Sequence, residues 1–329
     1  MNGAMSGSVG FVAIGRNEGA RLVACLASLA REGGPIVYVD SGSTDQSLAE
    51  AARIGAETVS LDMTRPFTAA RARNAGFLRL REIAPHTDYV QFIDGDCELA
   101  EGWAEAASAF LGAHEDAAAA CGRLRERYPE ASVYNRLCDA EWATPVGETE
   151  ACGGIAMMRA SAVEKAGGFR ETLIAGEEPE LCVRFREAGW RIWRIDAEMA
   201  LHDAAMHRFD QWWRRMMRGG HAFAEVSALH SASPKRIWAR ETMRAALWSA
   251  ILPASLLLGA LVHPVFFALL LAYPAQVARL AWRDRSRGAD ALLFAAFNVL
   301  SKFAEAAGVL NYWLTRLLRR TPKLIEYKT

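Results

Sequence analysis

Along the first hundred residues, short unbroken apolar runs alternate with stretches whose apolar positions repeat at helical spacing. Val9-Gly-Phe-Val-Ala-Ile14, Ile36-Val-Tyr-Val39 and Glu57 to Leu61 read as strands. Between them, Leu22, Cys25, Leu26 and Leu29, and then Leu48, Ala52 and Ile54, mark one face each of two amphipathic helices. Gly15-Arg-Asn-Glu-Gly19 and Gly33-Gly34-Pro35 punctuate the first unit. Strands that are apolar throughout belong to sheets covered on both faces, and the β-α-β-α-β order implies right-handed crossovers and a parallel sheet. The fold class predicted is therefore α/β, a Rossmann-like, mostly parallel sheet that binds its ligand beyond the carboxyl ends of the strands.

The same pattern continues to about residue 230. A helix is predicted after Pro66, a strand over Tyr89 to Ile93, a helix over Trp103 to Leu111 and a strand over Ala117 to Leu124. Arg125 to Thr149 has aromatics but no clean period. Cys152 to Met158 reads as a strand with a glycine opening, Ser161 to Ala166 as a short helix, and Trp193 to Asp203 as a late strand ending in His202. In Gly176-Glu-Glu-Pro-Glu-Leu-Cys-Val-Arg-Phe-Arg-Glu-Ala-Gly-Trp190, Pro179 suits the first helical position, which puts Glu178 at the cap and Gly189 just past the end.

The pattern changes near the carboxyl end. Ala245 to Val262 and Val265 to Trp282 are two apolar runs separated by His263-Pro264, with Arg279 their only charge. Each is long enough to cross a bilayer, and a membrane hairpin is favoured over a buried core hairpin. Arg236, Arg240 and Arg244 precede it and Arg283, Arg285 and Arg287 follow it, so both flanks are expected on the cytoplasmic side. Ala289 to Leu318 is interrupted by Lys302 and Glu305, which can pair at helical spacing. An interfacial helix is preferred there to a third span, with Arg316, Arg319, Arg320 and Lys323 towards anionic lipid. Met1 to Ser8 is small and polar, is expected to be disordered, and lacks a secretion pattern. The domains expected are 9–230, catalytic, and 231–329, a helical membrane anchor in the inner (cytoplasmic) membrane, with the catalytic domain facing the cytoplasm.

Composition narrows the function. The 329 residues carry a formal net charge of zero, which removes the electrostatic footprint of a nucleic-acid binder. The six cysteines form no Cys-x-x-Cys pair, so they read as core residues in a reducing compartment rather than as zinc ligands or disulfides.

Candidate chemistry gathers at strand ends. Val90-Gln-Phe-Ile-Asp-Gly-Asp-Cys97 delivers Asp94 and Asp96 to the end of a buried strand, where paired carboxylates suit a hard divalent cation such as Mg²⁺ or Mn²⁺. A simple acidic turn is the competing account. Asp40-Ser-Gly-Ser-Thr-Asp45 ends another strand, as a helix cap or as part of the same crevice. Arg71 and Arg73 are suited to phosphate or to a base. Ionised Glu178, favoured at a helix start, is fit to act as a general base.

Asn17-Glu18, Val39-Asp-Ser-Gly-Ser-Thr-Asp45, Arg73-Asn-Ala-Gly76 and Phe92-Ile-Asp-Gly-Asp96 resemble, in order and spacing, the family 2 inverting glycosyltransferases of the glycosyltransferase-A fold. The resemblance spans about Val9 to Glu225. It implies that Asp40 and Ser43 meet the nucleoside of a sugar-nucleotide donor, with Arg71 near its base or phosphates. Asp94 would lie by the ribose and metal, and Asp96 would hold the metal directly. Ser41 stands where the family often has a second acid.

The resemblance further supplies the base from a motif usually written Glu-Asp, here Glu177-Glu178. Glu178 is preferred, with Glu177 or Glu180 as alternatives. Some relatives complete the metal site with a late histidine, which makes His202 the third ligand ahead of His207. Gln211-Trp-Trp-Arg214-Arg215 lacks the closing Trp of processive synthases, and Arg214, Arg215 or Arg218 is expected at donor phosphates. Arg125 to Thr149 is expected to form acceptor-side loops. The implied activity is metal-dependent inverting transfer of one hexose from a nucleotide diphosphate sugar, a UDP-sugar first, to a lipid-linked or cell-envelope saccharide. A sugar nucleotidyltransferase and a non-catalytic membrane scaffold are the rivals. The first needs a basic Gly-rich phosphate loop after the first strand, which Gly15 to Gly19 matches poorly.

Overall fold

The computed structural model describes residues 7–320 and 323–327, so most of the expected disordered start, residues 1–6, lies outside it. Ser8 is already tied down, its N–H donating to Asp88 Oδ2 at 2.8 Å and its hydroxyl to the His86 carbonyl at 2.8 Å. The chain divides into two compact units, Met1–His207 and Arg208–Thr329, a division ahead of the expected domain boundary at 230.

In the first unit the chain runs through β1 (Val9–Gly15), α1 (Ala20–Ala30), β2 (Ile36–Asp40), α2 (Ser47–Ile54), β3 (Glu57–Ser60), α3 (Ala69–Ile83) and β4 (Tyr89–Asp94). Next come β5 (Cys97–Leu99), α4 (Trp103–Ala113), β6 (Ala117–Glu126), α5 (Val133–Trp142) and β7 (Gly147–Glu148). The unit closes with β8 (Ala156–Arg159), α6 (Ala160–Ala166), α7 (Glu177–Glu187) and β9 (Arg191–His202). The strands form one sheet in the order β3-β2-β1-β4-β8-β6-β9-β5, with β7 on β9.

The amino-terminal half, β3-β2-β1-β4, is parallel, as expected of its unbroken apolar runs. Beyond β4 the sheet is mixed: β8 runs antiparallel to both β4 and β6, β9 is parallel to β6, and β5 is antiparallel to β9. One sequence expectation shifts here, and one strand is new. Cys152 to Ile155 is not strand, because Gly153 and Gly154 sit at φ 95° and 103° and turn the backbone away from an extended ladder. The two-residue turn after Asp94 leads straight into β5, too short to carry a sheet period of its own.

The core runs across the whole sheet, from Phe11 and Val37 to Ala119, Met157 and Ile192. Phe92 packs edge-on to Phe169 at 5.0 Å between centroids, worth about 0.5–1.5 kcal/mol beyond the area buried. A Cβ at Gly76 would lie 2.4 Å from Val12 and 2.9 Å from Val39, so glycine lets α3 press directly onto β1 and β2. Asn74, two residues earlier, exchanges hydrogen bonds with both backbone groups of Phe169 at 2.8 Å and fixes the segment leading to α7.

The second unit is helical: α8 (Phe209–Leu229), α9 (Ala239–Ala260), α10 (Pro264–Arg283) and α11 (Asp290–Leu317). The last three are long and apolar enough to cross a membrane. They differ in surroundings, since the apolar window of α11 is 39% buried within the protein, against 11% for α9 and 6% for α10. Small residues explain how α11 packs: a Cβ at Gly308 or Gly220 would fall 1.9 Å from a carbonyl oxygen of the facing helix, α8 or α11. Lys302 and Glu305 pair at 2.7 Å, as their spacing predicted.

Candidate functional site

Parallel packing brings the ends of β1, β2 and β4 to one edge of the sheet. Asp40 ends β2 and turns inward: Oδ2 accepts the N–H groups of Gly42 and Ser43 at 3.0 and 2.9 Å, and Oδ1 accepts the Tyr38 hydroxyl at 3.1 Å. Ser43 Oγ in turn accepts the Asn17 N–H at 2.9 Å, and Asn17 Oδ1 accepts the Thr44 N–H at 2.7 Å. Of the two residues predicted to meet a nucleoside, Asp40 thus shapes its own turn, while Ser43 ties that turn to the loop after β1. Arg71 is buried, and its guanidinium donates to the carbonyls of Asp62, Arg65 and Pro66 at 2.8–3.0 Å, which shapes the loop ahead of α3.

Arg73, two residues on, is the cation at the centre of the edge. Its side chain is 3% exposed, donates to Asp94 Oδ1 at 2.8 Å, and is ion-paired with Glu177 Oε1. Burial works against its charge, but Asp94 and then Glu177 outweigh that and raise its pKa. The sequence suggested Arg73, with Arg71, for phosphate or a base, whereas here its guanidinium is taken up by two carboxylates. Only the approach of α7 to β4 makes it the link between the two acidic motifs.

Asp96 and His202 meet. Asp96 Oδ2 lies 3.3 Å from His202 Nε2, both side chains nearly buried. The cause is β5, whose antiparallel register sets Cys97 opposite His202 and Leu99 opposite Ala200, while the Asp203 N–H donates to the Asp96 carbonyl at 3.0 Å. A span near 3 Å is what two neighbouring ligands of one octahedral ion require, so the carboxylate and imidazole fit a Mn²⁺-like cation. The thiol of Cys97 stands 3.5 Å from Asp96 Oδ1. Asp94, predicted to share this ion, is turned to Arg73 and is 39% exposed. Gly95 owes its identity to the protein rather than to a ligand, because a Cβ there would press on the Ile14 carbonyl at 3.2 Å and on Leu22 at 3.3 Å.

The acid-rich helix start is also built differently from its sequence reading. Helix α7 begins at Glu177 after Gly176 at φ 79°, so Glu178 is inside the first turn and Pro179 third in it, still where no backbone donor is needed. Glu178 is 1% exposed. It accepts the N–H groups of Cys152 and Gly153 at 2.9 Å each, and the Cys182 thiol at 2.8 Å. Burial pushes that thiol up to about 12. Glu180 is fully buried between Arg170 and Arg184, a structural ion pair. Arg214 belongs to the second unit, half-exposed on α8 with Asp210 at 3.9 Å.

An open, mostly parallel α/β sheet of this strand order is of the glycosyltransferase-A type. Residues 12–167, within the first unit, match the family described as Glycosyl transferase family 2. The chain is 29% identical over 166 residues to a pre-mycofactocin glycosyltransferase of Mycobacterium tuberculosis, a match covering 46% of this chain and 34% of that protein. It therefore spans about a third of the length of that curated relative. Among solved structures, it is similar to the mannosyltransferase PcManGT of Pyrobaculum calidifontis, in complex with GDP-Man and Mn²⁺. That likeness has a TM-score of 0.63 at 18% identity, over 93% of this chain and 88% of that one. It is also similar to S. aureus TarS 1-349, with a TM-score of 0.53 at 12% identity, over 95% and 92%.

Proposed function

We propose that the protein transfers a single sugar from a nucleotide diphosphate sugar to a hydroxyl acceptor, with inversion at the anomeric carbon. The observation that carries this reading is the convergence of Asp96 and His202 at the carboxyl edge, beside the Arg73-linked acids Asp94 and Glu177. The Mn²⁺ and GDP-Man held by the mannosyltransferase of similar fold support it. Asp96 and His202 would hold the divalent ion, with Asp94 beside it. When bound, Mn²⁺ or Mg²⁺ supplies charge neutralisation for the departing diphosphate.

Asp40 and Ser43 keep the nucleoside loop in shape, while Arg71 keeps the 62–66 loop against it. The acceptor proton is taken by the acidic first turn of α7, with Glu178 as the base and Glu177 fixed by Arg73. For Glu178 to reach an acceptor hydroxyl, the Cys152-Gly153 N–H groups that cover it must swing away. Gly153 and Gly154 give that loop the freedom to do so.

The acceptor is a lipid-linked or cell-envelope saccharide, because α9 and α10 insert in the cytoplasmic membrane and keep the enzyme at its surface, the first unit in the cytoplasm. Transfer is non-processive. The test is a thermal-shift screen of UDP- and GDP-sugars with Mn²⁺ on the full chain in detergent, since a ligand that binds only the folded state raises its apparent stability. One nucleotide sugar should raise the melting temperature only with Mn²⁺ present and be turned over with inverted product. No stabilisation and no turnover of any of them would sink the reading.

A further inference from the structure

Behind His202 stands a buried acid that plays no part in the reaction proposed above. Glu126 ends β6, and the parallel register of β6 with β9 sets it directly opposite His202. Its side chain is 0% exposed, and its Oε2 lies 3.8 Å from His202 Nδ1. That ring nitrogen is itself buried and makes no hydrogen bond among the described residues.

Donors clamp Glu126 from both sides. Oε1 accepts the Tyr128 N–H at 3.1 Å and Asn135 Nδ2 at 3.2 Å, and Oε2 accepts the Ala204 N–H at 3.0 Å. Asn135 Oδ1 continues the clamp by accepting the Met206 N–H at 3.1 Å. Trp142, from the end of α5, sets its ring edge-on to the imidazole at 4.7 Å and limits its rotation. The ring is therefore held with Nε2 towards Asp96 and Nδ1 towards Glu126.

A ligand imidazole binds through a nitrogen that carries no proton, so its proton must sit on the other nitrogen, and a carboxylate facing that nitrogen fixes both tautomer and ring angle. We infer that Glu126 is a positioning residue for the divalent-cation site: its carboxylate faces Nδ1 of His202 and takes a hydrogen bond from that nitrogen once Nε2 is engaged by the ion beside Asp96. The inference rests on the reading of Asp96 and His202 as the metal pair.

The test is direct Mn²⁺ titration of the full chain in detergent, followed by loss of the free-ion electron paramagnetic resonance signal, with apo melting temperature measured alongside. Glu126→Gln should weaken Mn²⁺ binding roughly 10- to 100-fold. In a His202→Ala background the same change should cost no more than about 2-fold, because nothing remains for Glu126 to orient. Binding within about 3-fold of wild type in the single variant, or an equal loss in both backgrounds, would overturn the inference, the second outcome marking Glu126 as a purely structural carboxylate.

Should Glu126→Gln not fold, Glu126→Asp keeps the charge and withdraws it by one methylene. It should weaken binding in the wild-type background alone, under the same criteria. Asp96→Asn separates the two readings. If it abolishes Mn²⁺ binding while the Glu126 variants change nothing, only the inference fails; if it leaves binding intact, the metal pair itself is wrong.

Discussion

The two units use apolar residues in opposite ways. In the first, Phe11, Phe92, Leu22 and Trp103 are essentially inaccessible, and the charged groups at the sheet edge are buried only with partners. In the second, Leu257, Leu258, Leu261, Val262, Val265 and Phe267 are each more than half exposed at the tip of the α9–α10 hairpin. The first unit satisfies its own hydrophobic demand, whereas the hairpin leaves its demand to a surrounding medium. Exposed apolar surface on this scale marks contact with a membrane or a partner rather than with water.

That contrast can be broken most strongly at the hairpin. Changing those six tip residues to Ser or Gln removes burial worth about 10 kcal/mol if lipid covers them. The protein should then move from a carbonate-resistant membrane fraction to the supernatant, with unchanged Mn²⁺ binding. Persistence in the membrane would show that the hairpin is not the anchor. Next in size is Asp96→Asn, expected to lower sugar transfer by about 1000-fold or more with the far-ultraviolet dichroism intact. Full activity in that variant would remove the metal pair from the mechanism.

A smaller effect is expected at Arg73→Met. It strips the buried cation from Glu177 and Asp94 and should cost about 3 kcal/mol of stability, less any relief from solvent around half-exposed Asp94. A denaturant midpoint equal to wild type would mean that the bridge contributes nothing. The smallest concerns pH. Burial raises the Cys182 thiol from its ordinary 9.0 to about 12, so the folded state holds this proton more tightly than the unfolded one. That contribution is complete below pH 9 and falls away as pH rises towards 12, by at most about 1.4 kcal/mol per unit. Cys182→Ser should flatten this part of the alkaline limb in urea titrations at pH 8 to 11; an unchanged slope would exclude the thiol as its source.

Legibility followed range along the chain. Strands β1 to β4 and the helices between them were readable because each is set by its own apolar period, and so were Asp94 and Asp96 as the end of one such run. The Lys302–Glu305 pair was readable for the same reason, since helical spacing alone brings the two together. Less was legible where a side chain's partner is distant. Glu178 reads as a free acid at a cap, but residues 152–153 return to cover it. Arg71 reads as a phosphate ligand, but its donors go to local carbonyls that no periodicity announces.

By itself, then, the sequence determined a mostly parallel α/β unit, an acidic strand end within it, and an apolar tail of membrane length. All of these are fixed by residues within one or two turns or strands of each other. Only the tertiary structure decided that β5 and β6 flank the end of β9. That register brings Asp96 and Glu126 to the two nitrogens of His202 across separations of 106 and 76 residues. Strand register over such distances is chosen by the packing of the whole sheet, because no local signal distinguishes the right neighbour from the next one along.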